Sequence, residues 1–201
     1  MYVKVCGVRT PELAREISAL GVDAIGVNMS RRSPRYVDAT TAREVIAAVD
    51  CSVETVLVIN DLPAEEAATL ALSVGASALQ LHGPQYTPQD FEAARRVFPR
   101  LWRATSLAHG GVVAGSHGEE MLLLDAPDPG SGEGWDLEAL DAARPEGNWL
   151  LAGGLTPDNV GAAVARARPW GVDVASGVES APGVKDLELV RAFVAGARAA
   201  G

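Results

Sequence analysis

Cysteine is scarce: Cys6 and Cys51 are the two in 201 residues, too few for a disulfide framework. No apolar run approaches the roughly 18 residues a membrane-spanning helix needs. The opening MYVKVCGVRT sets a lysine inside a short apolar stretch, without the long hydrophobic region and small-residue cleavage site of a secretion signal. These absences point to reduced thiols in a cytoplasmic protein with no membrane partner. Asn28-Met29-Ser30 spells a glycosylation sequon, which carries little weight without such a signal. Lysine is also rare, with Lys4 and Lys185 the two among seventeen basic residues, so a lysine-based mechanism has a short list. Positive charge is outnumbered by twenty-six acidic residues, for a net charge of −9. Nucleic acid therefore has no general electrostatic support as a partner, although a single pocket can still capture a small anion.

What is present is apolar and patterned. Apolar residues make up 48% and charged residues 21%, which excludes a disordered chain. Eight short apolar or β-branched runs occur at 2–6, 23–28, 54–60, 78–81, 100–104, 121–125, 148–152 and 171–175. Helix-compatible segments at 11–20, 39–49, 63–74, 88–97, 136–143, 157–167 and 186–199 alternate with them. Pro11, Pro63 and Pro157 sit where helices begin, Asp38 or Thr40 and Thr156 are in capping positions, and Gly21 and Gly171 follow helices. The alternation predicts an α/β protein, a (β/α)8 barrel occupying 1–201 as one catalytic domain. The fifth unit is weak: 106–120 holds four glycines and predicts a loop or an irregular turn in place of a helix.

A barrel of this kind builds its site at the carboxyl ends of its strands. Those ends carry Cys6-Gly7, Asn28, Gln80-Leu81-His82-Gly83, Asp125, Gly153-Gly154 and Asp173 through Glu179. Glycines at the seventh and eighth ends, Gly153-Gly154 and Ser176-Gly177, let the backbone approach an anion and suggest a phosphate site; the alternative is that they only turn the chain. Cys6 and Asp125 are residue types for a base and an acid, or equally a buried structural cysteine and a capping aspartate. Period-two alternation puts Tyr2, Lys4 and Cys6 on one strand face. An inward Lys4 needs an anion such as Asp125 or Asp173, so an ion pair is expected there. Arg31, Arg32 and Arg35 suit a carboxylate or simply a solvated face.

Other chemistries leave no trace. His82, His109 and His117 follow no metal-ligand spacing, and HExxH, CxxC, GxSxG and Walker patterns are missing. No metal and no cofactor are expected. The run Gly130-Ser131-Gly132-Glu133-Gly134 has the wrong spacing for a dinucleotide fingerprint and reads as a loop over the site.

Taken in order, KVCG at 4–7, SPRYV at 33–37, QLHG at 80–83, LLLDA at 122–126, the GSG segment before Trp135-Asp136, LAGGLTPDNV at 151–160 and GVDVASGVESAPGVKD at 171–186 resemble the phosphoribosylanthranilate isomerase family. The resemblance covers nearly the whole chain. It implies a cofactor-independent Amadori rearrangement in tryptophan biosynthesis, with Cys6 as general base and Asp125 as general acid. It further implies that Arg35 meets the anthranilate carboxylate, that Gly153, Gly154, Ser176 and Gly177 hold the phosphate, and that His82 and Asp173 also bind substrate. The implied partner is a small phosphorylated molecule, and the implied assembly a monomer or homodimer. Val27–Ser30 and Pro129–Gly134 depart from the family's usual wording on either side of the expected pockets. Two other readings stand beside this one: a related sugar-phosphate isomerase of specialised metabolism, and a barrel that binds a phosphorylated metabolite without catalysis.

Overall fold

The computed structural model describes residues 1–106, 112–125, 140 and 144–201. Eight parallel strands run in chain order around a closed barrel. They are β1 (Tyr2–Cys6), β2 (Ala24–Asn28), β3 (Glu54–Ile59), β4 (Ala78–His82), β5 (Leu101–Ser106), β6 (Met121–Asp125), β7 (Trp149–Leu151) and β8 (Gly171–Val174). β1 pairs with β2 on one side and with β8 on the other, so the barrel sheet has no open edge. Outside lie helices α1 (Pro11–Ser18), α2 (Ala39–Ala48), α3 (Ala64–Val74), α4 (Pro88–Val97), α5 (Val160–Ala167) and α6 (Leu187–Ala200).

Each strand buries both faces, which is why the strands read as continuous apolar runs and not as alternating ones. Val3, Val5, Ile25, Leu57 and Leu79 face outward into the layer shared with the helices. The alternate positions Ala24, Val56, Ala78, Trp102, Leu123 and Leu150 fill the barrel interior. Small and large residues alternate there because eight strands enclose only enough space for side chains.

Local signals set most helix starts. Asp38, and not Thr40, caps α2 by accepting from the Thr41 amide at 2.8 Å. Thr10 caps α1, and Thr87 and Asp90 form a reciprocal capping box on α4. Pro11 opens α1 as expected, whereas Pro63 is the residue before α3. The helix expected from Pro157 begins at Val160, because Thr156 donates its amide to the Asn159 side chain and residues 157–159 form a turn. Gly171 lies within β8, where a Cβ would come within 2.6 Å of the Tyr2 carbonyl. The left-handed residue ending α5 is Arg168, with φ of 50°. A short hairpin of β9 (Glu179–Ala181) and β10 (Val184–Lys185) was not expected from the sequence.

Between β5 and β6, residues 112–120 form turns and bends without a helix, in keeping with their glycine content. One carboxylate organises them. The buried Glu119 accepts from Arg103 Nε at 2.8 Å, the Gly115 amide at 3.0 Å and the His117 amide at 2.9 Å. Arg103 in turn donates to the Val113 carbonyl at 2.8 Å. The expected helix at 136–143 (apart from Leu140), the Gly130–Gly134 loop and His109 lie outside the described residues.

Glu119→Gln should leave the buried Arg103 charge without its partner. A loss of about 3 kcal/mol is expected in urea unfolding; an unchanged midpoint would show that the carboxylate does not organise this loop.

Candidate active site

A cavity of about 390 Å³ opens where the strands end. Cys6, Arg35, His82, Asp125, Gly153, Gly154, Asp173 and Ser176 all line it. These residues come from six separate segments of chain, so their convergence is a product of barrel closure. Of the expected site residues, Gly177 alone is outside the lining. Its place is structural: a Cβ there would stand 1.8 Å from the Leu155 carbonyl oxygen, so glycine lets the loops after β7 and β8 touch.

The inward face of β1 is as alternation requires. Lys4 is fully buried and its Nζ donates to Asp173 Oδ1 at 2.8 Å, which fulfils the expected ion pair and selects Asp173 over Asp125. Cys6 lies one alternation further along, buried, with Gly26 of β2 beside it. A Cβ on Gly26 would fall 2.8 Å from the Cys6 sulfur, so the glycine makes room for the thiol inside the barrel. Burial pushes the Cys6 thiol above its ordinary pKa, while Lys4, Lys185 and Arg35 pull in the opposite direction. For Lys4, burial favours the neutral amine, but Asp173 and Cys6 outweigh it and hold the ammonium.

Arg35 is not a free fork. Its Nε donates to Glu179 Oε1 at 2.7 Å and its Nη2 to Oε2 at 2.8 Å. Glu179 also accepts from Lys185 Nζ at 2.7 Å and from the Gly183 amide at 3.1 Å. Burial would raise the Glu179 pKa, but these donors bring it down to about 2. The guanidinium is therefore anchored by one edge, and its Nη1–Nη2 end can still meet a second carboxylate bidentately. Gly7, in the left-handed region at φ 85°, lets the Arg35 chain pass close above β1: a Cβ would sit 2.3 Å from Arg35 Cδ. Neither Glu179 nor Lys185 was singled out as a site residue from the sequence, although the rarity of lysine was a usable signal.

On the far side, His82 Nε2 lies 3.8 Å from Asp125 Oδ2, too long for a hydrogen bond. Burial lowers the His82 pKa, so the imidazole is neutral at neutral pH and places no cation beside that carboxyl. Gly153 and Gly154 both have positive φ, 81° and 65°, which side chains rarely allow. Asn159 holds their loop, accepting from the Thr156 amide at 2.8 Å and donating to the Gly154 carbonyl at 2.9 Å. The α5 N-terminus lies beyond this clamp, whereas a short 3₁₀ turn at Ser176–Val178 follows β8 directly and brings Ala175 and Ser176 to the cavity wall. Asn28 and Gln80 also line the cavity and were not chosen from the sequence. Among the described residues no group of three or more His, Cys, Asp or Glu is placed to hold a metal ion, and no helix is long and apolar enough to cross a membrane.

A family model described as N-(5'phosphoribosyl)anthranilate (PRA) isomerase matches residues 3–196. An N-(5'-phosphoribosyl)anthranilate isomerase from Thermosynechococcus vestitus is 40% identical, the match covering 96% of this chain and 87% of that protein. The crystal structure of TrpF from Jonesia denitrificans is 52% identical with a TM-score of 0.93, covering 100% of this chain and 98% of that one. A phosphoribosyl anthranilate isomerase solved in complex with reduced 1-(o-carboxyphenylamino)-1-deoxyribulose 5-phosphate is 28% identical, with a TM-score of 0.80 and 99% of both chains covered.

Gly177→Ala should force the two loops apart. Inorganic phosphate, titrated calorimetrically, should bind at least about tenfold more weakly, since overpacking of this kind costs 1–3 kcal/mol. Equal affinity would remove Gly177 from any part in anion binding.

Proposed function

The chain belongs to the N-(5'-phosphoribosyl)anthranilate isomerase family, and from that premise we propose that Cys6 and Asp125 carry out its two proton transfers. The activity is an isomerisation in tryptophan biosynthesis. We read 1–201 as one catalytic barrel acting in the cytoplasm, with a small phosphorylated substrate and no nucleic-acid or membrane partner. The observation that supports the assignment of roles is that Cys6 and Asp125 end two strands on one cavity that also holds the Arg35 guanidinium and the Gly153-Gly154 loop.

Asp125, as a carboxylic acid, protonates the ribose ring oxygen. The C1′–O bond breaks and the anilino nitrogen lone pair forms the C1′=N bond of an iminium. The Cys6 thiolate then removes the C2′ proton, and that electron pair forms C1′=C2′ as the C=N π pair returns to nitrogen. The resulting enolamine gains a proton at C1′ and loses its hydroxyl proton, giving the ketone. No electrons leave the substrate, so a base and an acid suffice. The neutral His82 ring supports this arrangement because an imidazolium there would hold Asp125 as the carboxylate. Arg35, anchored by Glu179, offers its outer edge to the anthranilate carboxylate. The Gly153-Gly154 loop and the Ser176 turn offer backbone N–H groups to the phosphate. Asp173 is tied to Lys4 and presents its remaining oxygen at the cavity wall.

Chelator-treated protein given freshly prepared N-(5'-phosphoribosyl)anthranilate should consume it, followed by the fall in anthranilate-type fluorescence. Turnover no faster than spontaneous decay would overturn the reading. Cys6→Ser and Asp125→Asn should each lower turnover about 10²-fold or more, while Arg35→Met should chiefly raise KM. Wild-type rates in the first two would move the chemistry elsewhere.

The pH dependence has a definite sign. Cys6 acts only after losing its proton, and burial holds its pKa above the ordinary thiol value. kcat/KM should therefore climb with pH through neutrality and keep climbing into the alkaline range. A profile that is flat from neutrality to pH about 9 would exclude a thiol with a raised pKa as the base.

A further inference from the structure

We infer that Gln80, on the inward face of β4, is a substrate-contact residue that reads a hydroxyl of the substrate's sugar. The inference rests on the isomerase reading above and goes beyond it to a residue with no assigned role. Gln80 is only 2% exposed, yet it lines the cavity. Its Oε1 is buried and has no hydrogen-bond partner, the one such side-chain atom among the described residues. Its neighbours in register are Val58 on β3 and Trp102 on β5, which offer a side-chain amide little in exchange for water. Within the barrel, an apolar side chain of the same length would fill the space without that cost. The other interior positions of this region are filled in that way, by Val56, Ala78, Trp102 and Leu123.

The chemistry of a carboxamide decides what it recognises. It carries no charge and offers one acceptor and two donors, with oxygen and nitrogen free to exchange places by a half-turn of the amide. A phosphate or carboxylate draws on formal positive charge or a row of backbone N–H groups, and this cavity supplies those at Arg35 and at the Gly153-Gly154 and Ser176 turns. A hydroxyl both donates and accepts, so it satisfies either end of the amide, including the orphaned oxygen. The sugar lies between the two anionic ends of the substrate, and Gln80, on β4, belongs to neither anion-binding segment. Binding therefore supplies the hydrogen bond that the free protein lacks.

The test is Gln80→Met, which keeps the side-chain length and removes both polar atoms, with Gln80→Leu as a second variant should the first fail to fold. Five quantities are measured on wild type and variant: thermal midpoint without ligand, steady-state KM and kcat, affinity for reduced 1-(o-carboxyphenylamino)-1-deoxyribulose 5-phosphate, and affinity for inorganic phosphate. The expected variant is as stable as wild type or more so, since it no longer buries an unpaired oxygen. Its KM rises and its affinity for the reduced compound falls by about tenfold, the scale of one hydrogen bond. Its affinity for inorganic phosphate is unchanged, because that probe carries no sugar. An unchanged KM and an unchanged affinity for the reduced compound overturn the inference while wild-type turnover leaves the isomerase reading standing. A lowered midpoint with equal losses for both ligands also overturns it, making Gln80 a structural residue. Wild type without turnover overturns both readings.

Discussion

The ion pair between Lys4 and Asp173 lies on the seam where the first strand meets the last, 169 residues apart in sequence. Everything at the cavity depends on that seam. Until β1 and β8 pair, the barrel has two open edges, and Cys6 and Asp173 belong to different ends of the chain. Once they pair, Lys4 stands level with Asp173 and with Ala24 in the register, fixed on both sides by main-chain hydrogen bonding. A lysine ammonium buried at 0% exposure is tolerable only with such a partner. Apolar residues of similar volume could stabilise the seam as well or better, so the pair is a poor explanation of stability. Its value is positional: it accepts only the register that sets Cys6 at the cavity floor.

The same economy governs charge around the site. The chain has a net charge of −9 and two lysines, and both lysines are buried beside the cavity. Lys4 meets Asp173, while Lys185 and Arg35 share Glu179. An acidic protein thus prepares for a substrate with two anionic groups by placing its scarce cations, and it fixes each with a carboxylate from the β8 strand and the hairpin that follows. A compact ammonium suits the buried positions because three donors can be shared out, as Lys185 does between Glu179 and the Ala175 carbonyl. The planar guanidinium suits Arg35, which gives one edge to its anchor and, on the proposed reading, another to the substrate carboxylate.

What could be read from residues alone was whatever depends on local periodicity. Strand runs, helix faces, the Asp38 cap and the inward alternation of Tyr2, Lys4 and Cys6 are all near-neighbour patterns, and from them the barrel and most of the cavity wall followed. The need for an anion beside Lys4 was also legible, though alternation alone allowed Asp125 as well as Asp173. Four features were not. Arg35 and Glu179 are 144 residues apart, and nothing local marks their union. Gly177 read as a ligand contact because glycine serves close approach of either a ligand or another loop, and the sequence does not distinguish them. Thr156 read as a helix cap because it precedes a proline in the usual way, but the Asn159 side chain takes its amide and delays the helix. Gln80 was seen at the end of the fourth strand but given no role, since a buried glutamine differs from an exposed one only in its surroundings.

The charge arrangement also bears on how a buried thiol would serve as the proposed base. Lys4, Lys185 and Arg35 stand against Asp173 and Glu179, three cations to two carboxylates, with His82 neutral. Desolvation and these neighbouring charges set how readily the Cys6 thiol gives up its proton. Burial disfavours the thiolate, and the nearby cations oppose that cost. An anionic substrate adds negative charge and would push back toward the thiol, unless its phosphate is held by backbone dipoles and its carboxylate by Arg35. Under the proposed roles, substrate binding and base activation are coupled through one electrostatic field, and the anchoring of Arg35 by Glu179 serves both.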